Sequence, residues 1–494
     1  MRFHALAMDY DGTIAHHGRV PPSTVAALDR LRASGRKLLL VTGRQLDELM
    51  GIFPEVDHFE RIVAENGALI YHPSTRKVRT LADRPEAAFV EELRRREVPF
   101  VAVGHVIVAA WKPHETIILE TIRDMGLDLQ VIFNKEAVMV LPAGVNKATG
   151  LAAALSELEL SPHEVVGVGD AENDQAFLAM CECGVAVDNA LQTVKDRADL
   201  VMPGDHGLGV EQLCEHILQT DLQELMGTVR RHHLLLGKSK AGGDVLLPPH
   251  GANLLIAGPS ASGKSTIAKC ILERLQERHY QYCILDPEGD YDGFEGAVTL
   301  GSGKGAPSVE EILHLLARPE TNVIVNLVGV PLRARPGFVL GLLPRLHEMR
   351  ARNGRPHWIV IDETHHLLPA GFAPALSALP QKLDRLLLIT VHPDQIMRPV
   401  LDAVTKCIVV GARPEETLAK YCQAVEQGPP FAHELPAEYR DLRTDEVLLW
   451  HRDQHDAIER VQVVLSRKEQ QRREHTEEEP PPEPILGTAV EAMR

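Results

Sequence analysis

Short apolar runs alternate with amphipathic stretches along most of the chain. Phe3–Met8, Lys37–Val41 and Glu164–Val168 are runs of strand length, each followed directly by Asp, Thr or Gly, and Ser23–Ser34 spaces its apolar residues as a helix does. Such alternation predicts a doubly wound parallel sheet, whose ligands bind beyond the carboxyl ends of the strands. Roughly a hundred positions separate Thr42 from Lys147, too many for a loop. They read as a helix over Pro85–Arg96, a strand over Phe100–Ala109, a helix over Pro113–Met125, and strands over Leu129–Ile132 and Ala137–Leu141. This is a small α+β insertion.

The pattern then restarts. Asp221–Gly237 reads as a joint, and Ala241–His250 is rich in Gly and Pro. A second α/β series follows, with strands at Asn253–Ala257, Tyr282–Leu285, Asn322–Leu327, His357–Ile361, Arg385–Val391 and Cys407–Val410. The run Arg467–Pro484 is charged and Pro-rich and is expected to be disordered. The expected organisation is a first core over 1–84 and 142–222, an insertion over 85–141, a linker over 223–252, a second domain over 253–465 and a tail over 466–494.

Composition narrows the class. A chain of 494 residues exceeds one ordinary core, and 44% hydrophobic with 24% charged residues is globular. No stretch approaches the ~18 apolar residues of a membrane span. The first eight residues run straight into Asp9, so a signal peptide is not expected. The seven cysteines are scattered. Only Cys181 and Cys183 lie close together, at a spacing that is neither a zinc knuckle nor a redox pair, so reduced thiols and a cytoplasmic location are expected. A net charge of −17 speaks against a large nucleic-acid footprint.

Two stretches carry phosphate chemistry. In an extended strand residues i and i+2 face the same way, so Asp9 and Asp11 are expected to converge on one phosphoryl group. One carboxylate attacking phosphorus forms an aspartyl phosphate, and a second serves as general acid and base. Such a site needs a hard cation with oxygen ligands, a hydroxyl and a lysine. Thr42-Gly43, Lys147, and Asp170 with Asp174 in Gly167-Val-Gly-Asp-Ala-Glu-Asn-Asp174 supply them in order. The first ~215 residues, read through these motifs, resemble the haloacid dehalogenase superfamily, in its sugar-phosphatase-like branch with an α+β cap. Glu65-Asn-Gly-Ala68 and Gly184-Val-Ala-Val-Asp-Asn-Ala190 resemble further stretches of that branch. The resemblance implies a Rossmann-like core. It makes Asp9 the nucleophile and a magnesium ligand, and Asp11 the acid/base with its backbone carbonyl on the metal. Thr42, Gly43 and Lys147 would bind phosphate, and Asp170 and Asp174 would serve the metal. Ala171 stands where the branch usually has glycine. His105, Lys112, His114 and Asn134 are candidate substrate contacts in the cap.

The second stretch is Gly258-Pro-Ser260-Ala-Ser262-Gly263-Lys264-Ser265-Thr266, after a strand and opening the helix Lys264–Leu275. Glycines there let backbone N–H groups approach phosphates, Lys264 meets the β/γ oxygens and Ser265 holds magnesium. Trp358-Ile-Val-Ile-Asp362-Glu363 is an apolar strand ending in two acids; Asp362 can take magnesium through water and Glu363 can polarise the attacking water. With Asp286-Pro-Glu-Gly-Asp-Tyr291, Asp362-Glu-Thr-His365 and the strand ending Thr390-Val-His392, residues 253–465 resemble HerA/FtsK-type P-loop ATPases, which implies a RecA/HerA-like α/β domain that binds ATP. His392 stands where that family commonly has glutamine. His365-His366 lacks the spacing of a metal pair. Arg398 and Arg413 are candidate arginine fingers.

The reading is a magnesium-dependent phosphomonoesterase for a sugar phosphate or other small phosphorylated metabolite, fused to an ATPase that regulates it or assembles it into a homo-oligomer. Two alternatives stand beside it. One is an ATP-driven nucleic-acid translocase with an accessory phosphatase, disfavoured by the acidic balance. The other is a phosphatase joined to a small-molecule kinase, disfavoured by Glu363.

Overall fold

The computed structural model describes residues 1–134, 136–372, 379–380, 382–428, 435–452 and 457–478. The chain divides into two compact units. One comprises Met1–His232 with Leu313–Thr321 and Arg345–His357; the other comprises His233–Ile312, Asn322–Pro344 and Trp358 onward.

The first unit is built on an eight-stranded sheet. Its order is Leu200–Val201, Cys183–Ala186, Val165–Gly169, Ala5–Met8, Lys37–Val41, Arg61–Ala64, Leu69–His72 and Lys77–Thr80. The first six strands run parallel; Leu69–His72 turns back antiparallel to them, and Lys77–Thr80 pairs antiparallel to Leu69–His72. Ala5 pairs with Val165 and Lys37 on its two sides, so Asp9 and Asp170 emerge from adjacent strand ends. The central strand is buried along its whole length, because both faces are covered.

The insertion forms a separate four-stranded antiparallel sheet, ordered Ala102–Val103, Val108–Trp111, Ala137–Pro142 and Leu129–Asn134. Alternation assigns its two faces. Val108, Ala110, Val138 and Val140 pack with Phe89 and Leu93 of the helix Ala87–Arg95 and with Ile118 of the helix Glu115–Met125. Met139 and Leu141, on the other face, pack with Ala68 and Val145 of the core. The strand expected over Phe100–Ala109 is broken at 104–107. The Glu65 carboxylate takes the backbone N–H groups of His105, Val106 and Ile107 at 2.7–2.9 Å, so they cannot serve a ladder.

The second unit carries an eleven-stranded sheet. Its central order is Lys406–Val410, Leu254–Ala257, Leu386–Thr390, Trp358–Ile361, Tyr282–Asp286, Asn322–Asn326 and Ala297–Leu300, all parallel. Antiparallel strands Glu446–His451, Ala457–Val463, Leu234–Ser239 and Asp244–Leu247 extend it at one side. Two expectations need correcting here. The stretch 223–252 is not only a linker, because it contributes the last two of these strands, joined by a turn with Gly242 at φ +84°. The tail is helical over Arg467–Glu478 rather than disordered from 466. Its start is anchored: Arg472 meets Glu273 at 2.5 Å, Lys468 meets Glu295 at 2.7 Å, and Ser466 bonds Glu273. Residues 479–494 lie outside the described residues. Among the described residues no helix is long and apolar enough to cross a membrane.

Candidate active site at the strand ends of the first unit

Asp9 follows the central strand and Asp170 follows its neighbour Val165–Gly169; both are buried. Asp174 belongs to the short helical turn Glu172–Asp174, and its Oδ2 accepts the N–H groups of Asp170 and Ala171, each at 2.9 Å. These bonds fold the loop back and aim Oδ1 inward. Carboxylate oxygens of Asp9, Asp170 and Asp174 all lie within 4.8 Å of one another. Lys147 spans the group, its Nζ donating to Asp9 Oδ1 at 2.5 Å and Asp174 Oδ1 at 2.6 Å. It opens the helix Lys147–Glu157, where Asn146 caps the N–H groups of Ala148 and Thr149 and fixes the lysine's direction.

Three carboxylates around one ammonium leave an excess of negative charge. Burial and the neighbouring Asp174 push the Asp9 carboxyl well above its ordinary range. Burial alone would lower Lys147, but Asp174 and Asp9 outweigh it and hold the lysine charged. A dense, all-oxygen donor set short of positive charge suits a hard divalent cation such as magnesium. Glycines permit the close approach: at Gly12, where φ is +87°, an added Cβ would stand 2.3 Å from Asp170 Oδ2, and at Gly169 one would stand 2.7 Å from Asp174 Oδ2.

Asp11 departs from the expected geometry. The strand ends at Met8, and the turn after Asp9 removes the i, i+2 relation, so the Asp11 carboxylate does not join the cluster. Instead Arg44 grips it with two bonds, Nε to Oδ2 at 2.6 Å and Nη2 to Oδ1 at 2.7 Å. Arg44 comes from the loop after Lys37–Val41, beside Thr42 and Gly43, and its N–H donates to Thr42 Oγ1 at 3.1 Å. Thr42 is fully buried.

The sequence left Arg44, Glu65 and Asn66 without a role. Glu65, Asn66 and Gly67 have φ of +51°, +56° and +101° in succession. The N–H of Asn66 reaches the Thr42 carbonyl, the N–H of Glu65 reaches that of Arg44, and Asn66 Oδ1 accepts from Asn173. With Glu65 gripping residues 105–107, this one turn connects the loop after Val41, the loop of Asp174 and the cap. A run of Glu-Asn-Gly after an apolar strand is the signal that could have found it. Of the proposed cap contacts, His105 and Lys112 are exposed, His114 is half-buried, and Asn134 ends its strand.

The second unit gathers the other predicted residues. The loop Gly258–Gly263 connects Leu254–Ala257 to the helix Lys264–Glu277, with Ala261 and Gly263 at φ +58° and +95°. Ser260 lies at the exposed crest, while Ser265 and Thr266 sit in the first helical turn. Lys264 Nζ rests on the Pro259 carbonyl at 2.8 Å. Burial lowers its pKa, with Glu363 and Asp362 acting the other way. Burial holds the Asp362 carboxyl up at about 7, although the Glu363 N–H donates to it at 3.0 Å and acts the other way. Glu363 stands at φ +39° with Oε2 3.2 Å from His365 Nδ1, which also lies 3.1 Å from Thr390 Oγ1. Burial and the neighbouring His366 and His392 lower His365 to about 4, so it is neutral. Asp286 is not aimed at a ligand. Its carboxylate accepts the N–H groups of Glu288, Gly289, Asp290 and Tyr291 and so shapes that loop. Arg398 and Arg413 pair at the surface with Glu426 and Glu416.

Comparison with known proteins addresses the first unit. A family model for haloacid dehalogenase-like hydrolases matches residues 6–123 and 106–213. The phosphoglycolate phosphatase of Methanoculleus marisnigri is 30% identical over 219 residues, which span 41% of this chain and 92% of that protein. The phosphoglycolate phosphatase of Haloarcula marismortui is 29% identical over 212 residues, 41% of this chain and 92% of its own. Among solved structures, a haloacid dehalogenase-like hydrolase from Bacteroides thetaiotaomicron aligns over 44% of this chain and all of its own, at 18% identity and a TM-score of 0.39. Through its first unit, the chain belongs to the haloacid dehalogenase-like hydrolases.

Proposed function

We propose that the first unit hydrolyses the phosphate monoester of a small metabolite, with Asp9 as nucleophile and magnesium as cofactor. The observation that carries this reading is the buried cluster of Asp9, Asp170 and Asp174 spanned by Lys147 at the carboxyl ends of two parallel strands. Asp9, Asp170 and Asp174 would hold the ion, which when bound neutralises the carboxylates and the incoming phosphoryl charge. Asp9 Oδ attacks phosphorus, an Asp–O–P bond forms, and the ester oxygen departs with a proton from Asp11. Water then cleaves the aspartyl phosphate after giving its proton to Asp11, which restores both carboxyl groups. Lys147 and the Thr42 hydroxyl hold phosphoryl oxygens. Arg44 positions Asp11 and keeps its carboxyl from swinging into the metal cluster. Phosphoglycolate is the first substrate to try, since the relatives above carry that name. Sugar phosphates come next.

The second unit, on this reading, binds and hydrolyses ATP. Support comes from the sheet order: Leu386–Thr390 lies between the strand feeding the Gly258–Gly263 loop and the strand ending in Asp362-Glu363. That places a polar strand end, Thr390-Val-His392, between the phosphate loop and the two acids, where a water-activating Glu363 is useful. An arginine from a second copy would complete such a site, which makes a homo-oligomer part of the proposal.

The test is phosphate release from a panel of monoesters with magnesium, with and without ATP, on wild type, Asp9→Asn and Lys264→Ala. Ester hydrolysis that survives Asp9→Asn overturns the first assignment. ATP hydrolysis that survives Lys264→Ala overturns the second.

A further inference from the structure

At the opposite edge of the first unit's sheet, the geometry points to a second metal site of different chemistry: His163, Glu182 and His232 form a structural site for a borderline divalent ion, zinc being the natural occupant. One ligand atom from each lies within 4.8 Å of the other two. His163 Nδ1 stands 2.7 Å and His232 Nε2 stands 3.9 Å from the same oxygen, Glu182 Oε2. Ligand atoms around a tetrahedral zinc are about 3.3 Å apart, given bonds of about 2.0–2.1 Å. The two separations bracket that value, so an ion enters with shifts of roughly half an ångström on either side.

Each ligand is supplied by a different part of the chain, and two of the three are held from behind. His163 sits in the turn Pro162–Glu164, capped by Ser161, whose hydroxyl accepts the His163 N–H at 3.2 Å. Glu182 is 1% exposed, and Arg2 donates to its other oxygen, Oε1, at 3.0 Å. That leaves Oε2 turned toward the imidazoles, the arrangement by which a supporting group orients a ligating carboxylate. His232 follows the short turn Met226–Thr228. The ring of His357 also lies near, 5.5 Å from that of His163, but its Nε2 is 2.6 Å from Glu164 Oε1 and is excluded from the set. The flanking Cys181 and Cys183 are also excluded. Alternation turns both into the core while Glu182 faces the other way, and burial pushes the Cys181 thiol up to about 12.

Two imidazoles and one carboxylate select zinc, cobalt or nickel over magnesium, whereas the cluster around Asp9 is all oxygen. The location argues for structure rather than catalysis. His163, Glu182 and Arg2 each precede a strand of the parallel sheet, while Asp9 and Asp170 each follow one. The two sites are therefore separated by the length of a strand, about 16 Å for five residues. The ion displaces the proton shared by His163 and Glu182, and a water completes four ligands. It would pin the segment ending at His232 to the sheet's amino edge.

The experiment is a Co2+ titration of chelator-treated full-length protein in excess magnesium, which fills the oxygen site. The expected result is the intense visible absorption of four-coordinate Co2+, saturating at one equivalent, bleached by Zn2+, unchanged in Asp170→Asn and lost in His232→Gln. His232 is only half-buried, so this variant should fold, and its phosphatase turnover in magnesium should match wild type. Absence of the band in wild type overturns the site, as does a band that survives His232→Gln or disappears in Asp170→Asn.

Discussion

The cluster around Asp9 and the candidate site around Lys264 balance their charges in opposite ways. Around Asp9 a countercharge is already in place: Lys147 is buried against two carboxylates, and the loop of Asp174 is closed by its own carboxylate, which accepts the N–H groups of Asp170 and Ala171. Around Lys264 little is committed. The lysine rests on a carbonyl of its own loop, and burial keeps Asp362 near half-protonation at pH 7. The first site is preorganised for a small charge to enter a finished cage. The second, on the proposed reading, would take its final form only when a ligand brings phosphate and cation together. Preorganised sites put the cost of assembly into folding; unfinished ones put it into binding.

The sharpest way to break the comparison is to remove one anchor at a time. Asp9→Asn should lower monoester hydrolysis by roughly 10³-fold or more while ATP hydrolysis stays within twofold of wild type, about the scatter expected of independent sites. Steady-state assays of both activities on one preparation read this directly. Lys264→Ala should do the reverse, with a loss of about 10²-fold or more in ATP turnover. A parallel fall in monoester hydrolysis would show that the two activities are coupled.

A smaller effect should follow from Glu65→Gln. The amide places an N–H donor against one of three backbone donors, at a cost of about 1–3 kcal/mol. The thermal midpoint of the first unit should drop, and KM should rise more than kcat falls, because the cap is held less firmly while Asp9 is untouched. An unchanged midpoint would mean that the cap is held by the packing of Met139 and Leu141 alone.

The smallest effect concerns pH at the second site. Asp362 must be ionised to serve magnesium, and burial raises its carboxyl to about 7. The protonated form therefore predominates below that value, and magnesium–nucleotide affinity should weaken as pH falls from 8 to 6, approaching about tenfold per unit at the low end. Calorimetry across that range should also show proton release on binding. A flat profile would mean that Asp362 is already ionised in the free protein.

Much of this molecule was legible in its residue pattern. Apolar runs ending in Asp, Thr or Gly marked the strands whose tips carry Asp9, Thr42 and Asp170, because burial on both faces leaves a strand no polar positions except its ends. The glycine-spaced loop before Lys264 was legible for the same local reason. Strands with weaker patterns, such as Lys77–Thr80, exposed throughout, and the hairpin at Leu234–Leu247, were not. Their stability comes from pairing with neighbours distant in sequence.

What the sequence determined by itself was which residue types stand at strand ends, since periodicity and turn chemistry act over a few residues. Only the tertiary structure decided which of those residues meet. It took Asp11 from the cluster and gave it to Arg44, turned Glu65 into the grip on the cap, and brought His163, Glu182 and His232 together from three separate stretches. Each of these depends on where a carboxylate or imidazole points once the backbone is fixed, and that is settled by packing and by competition for buried hydrogen bonds.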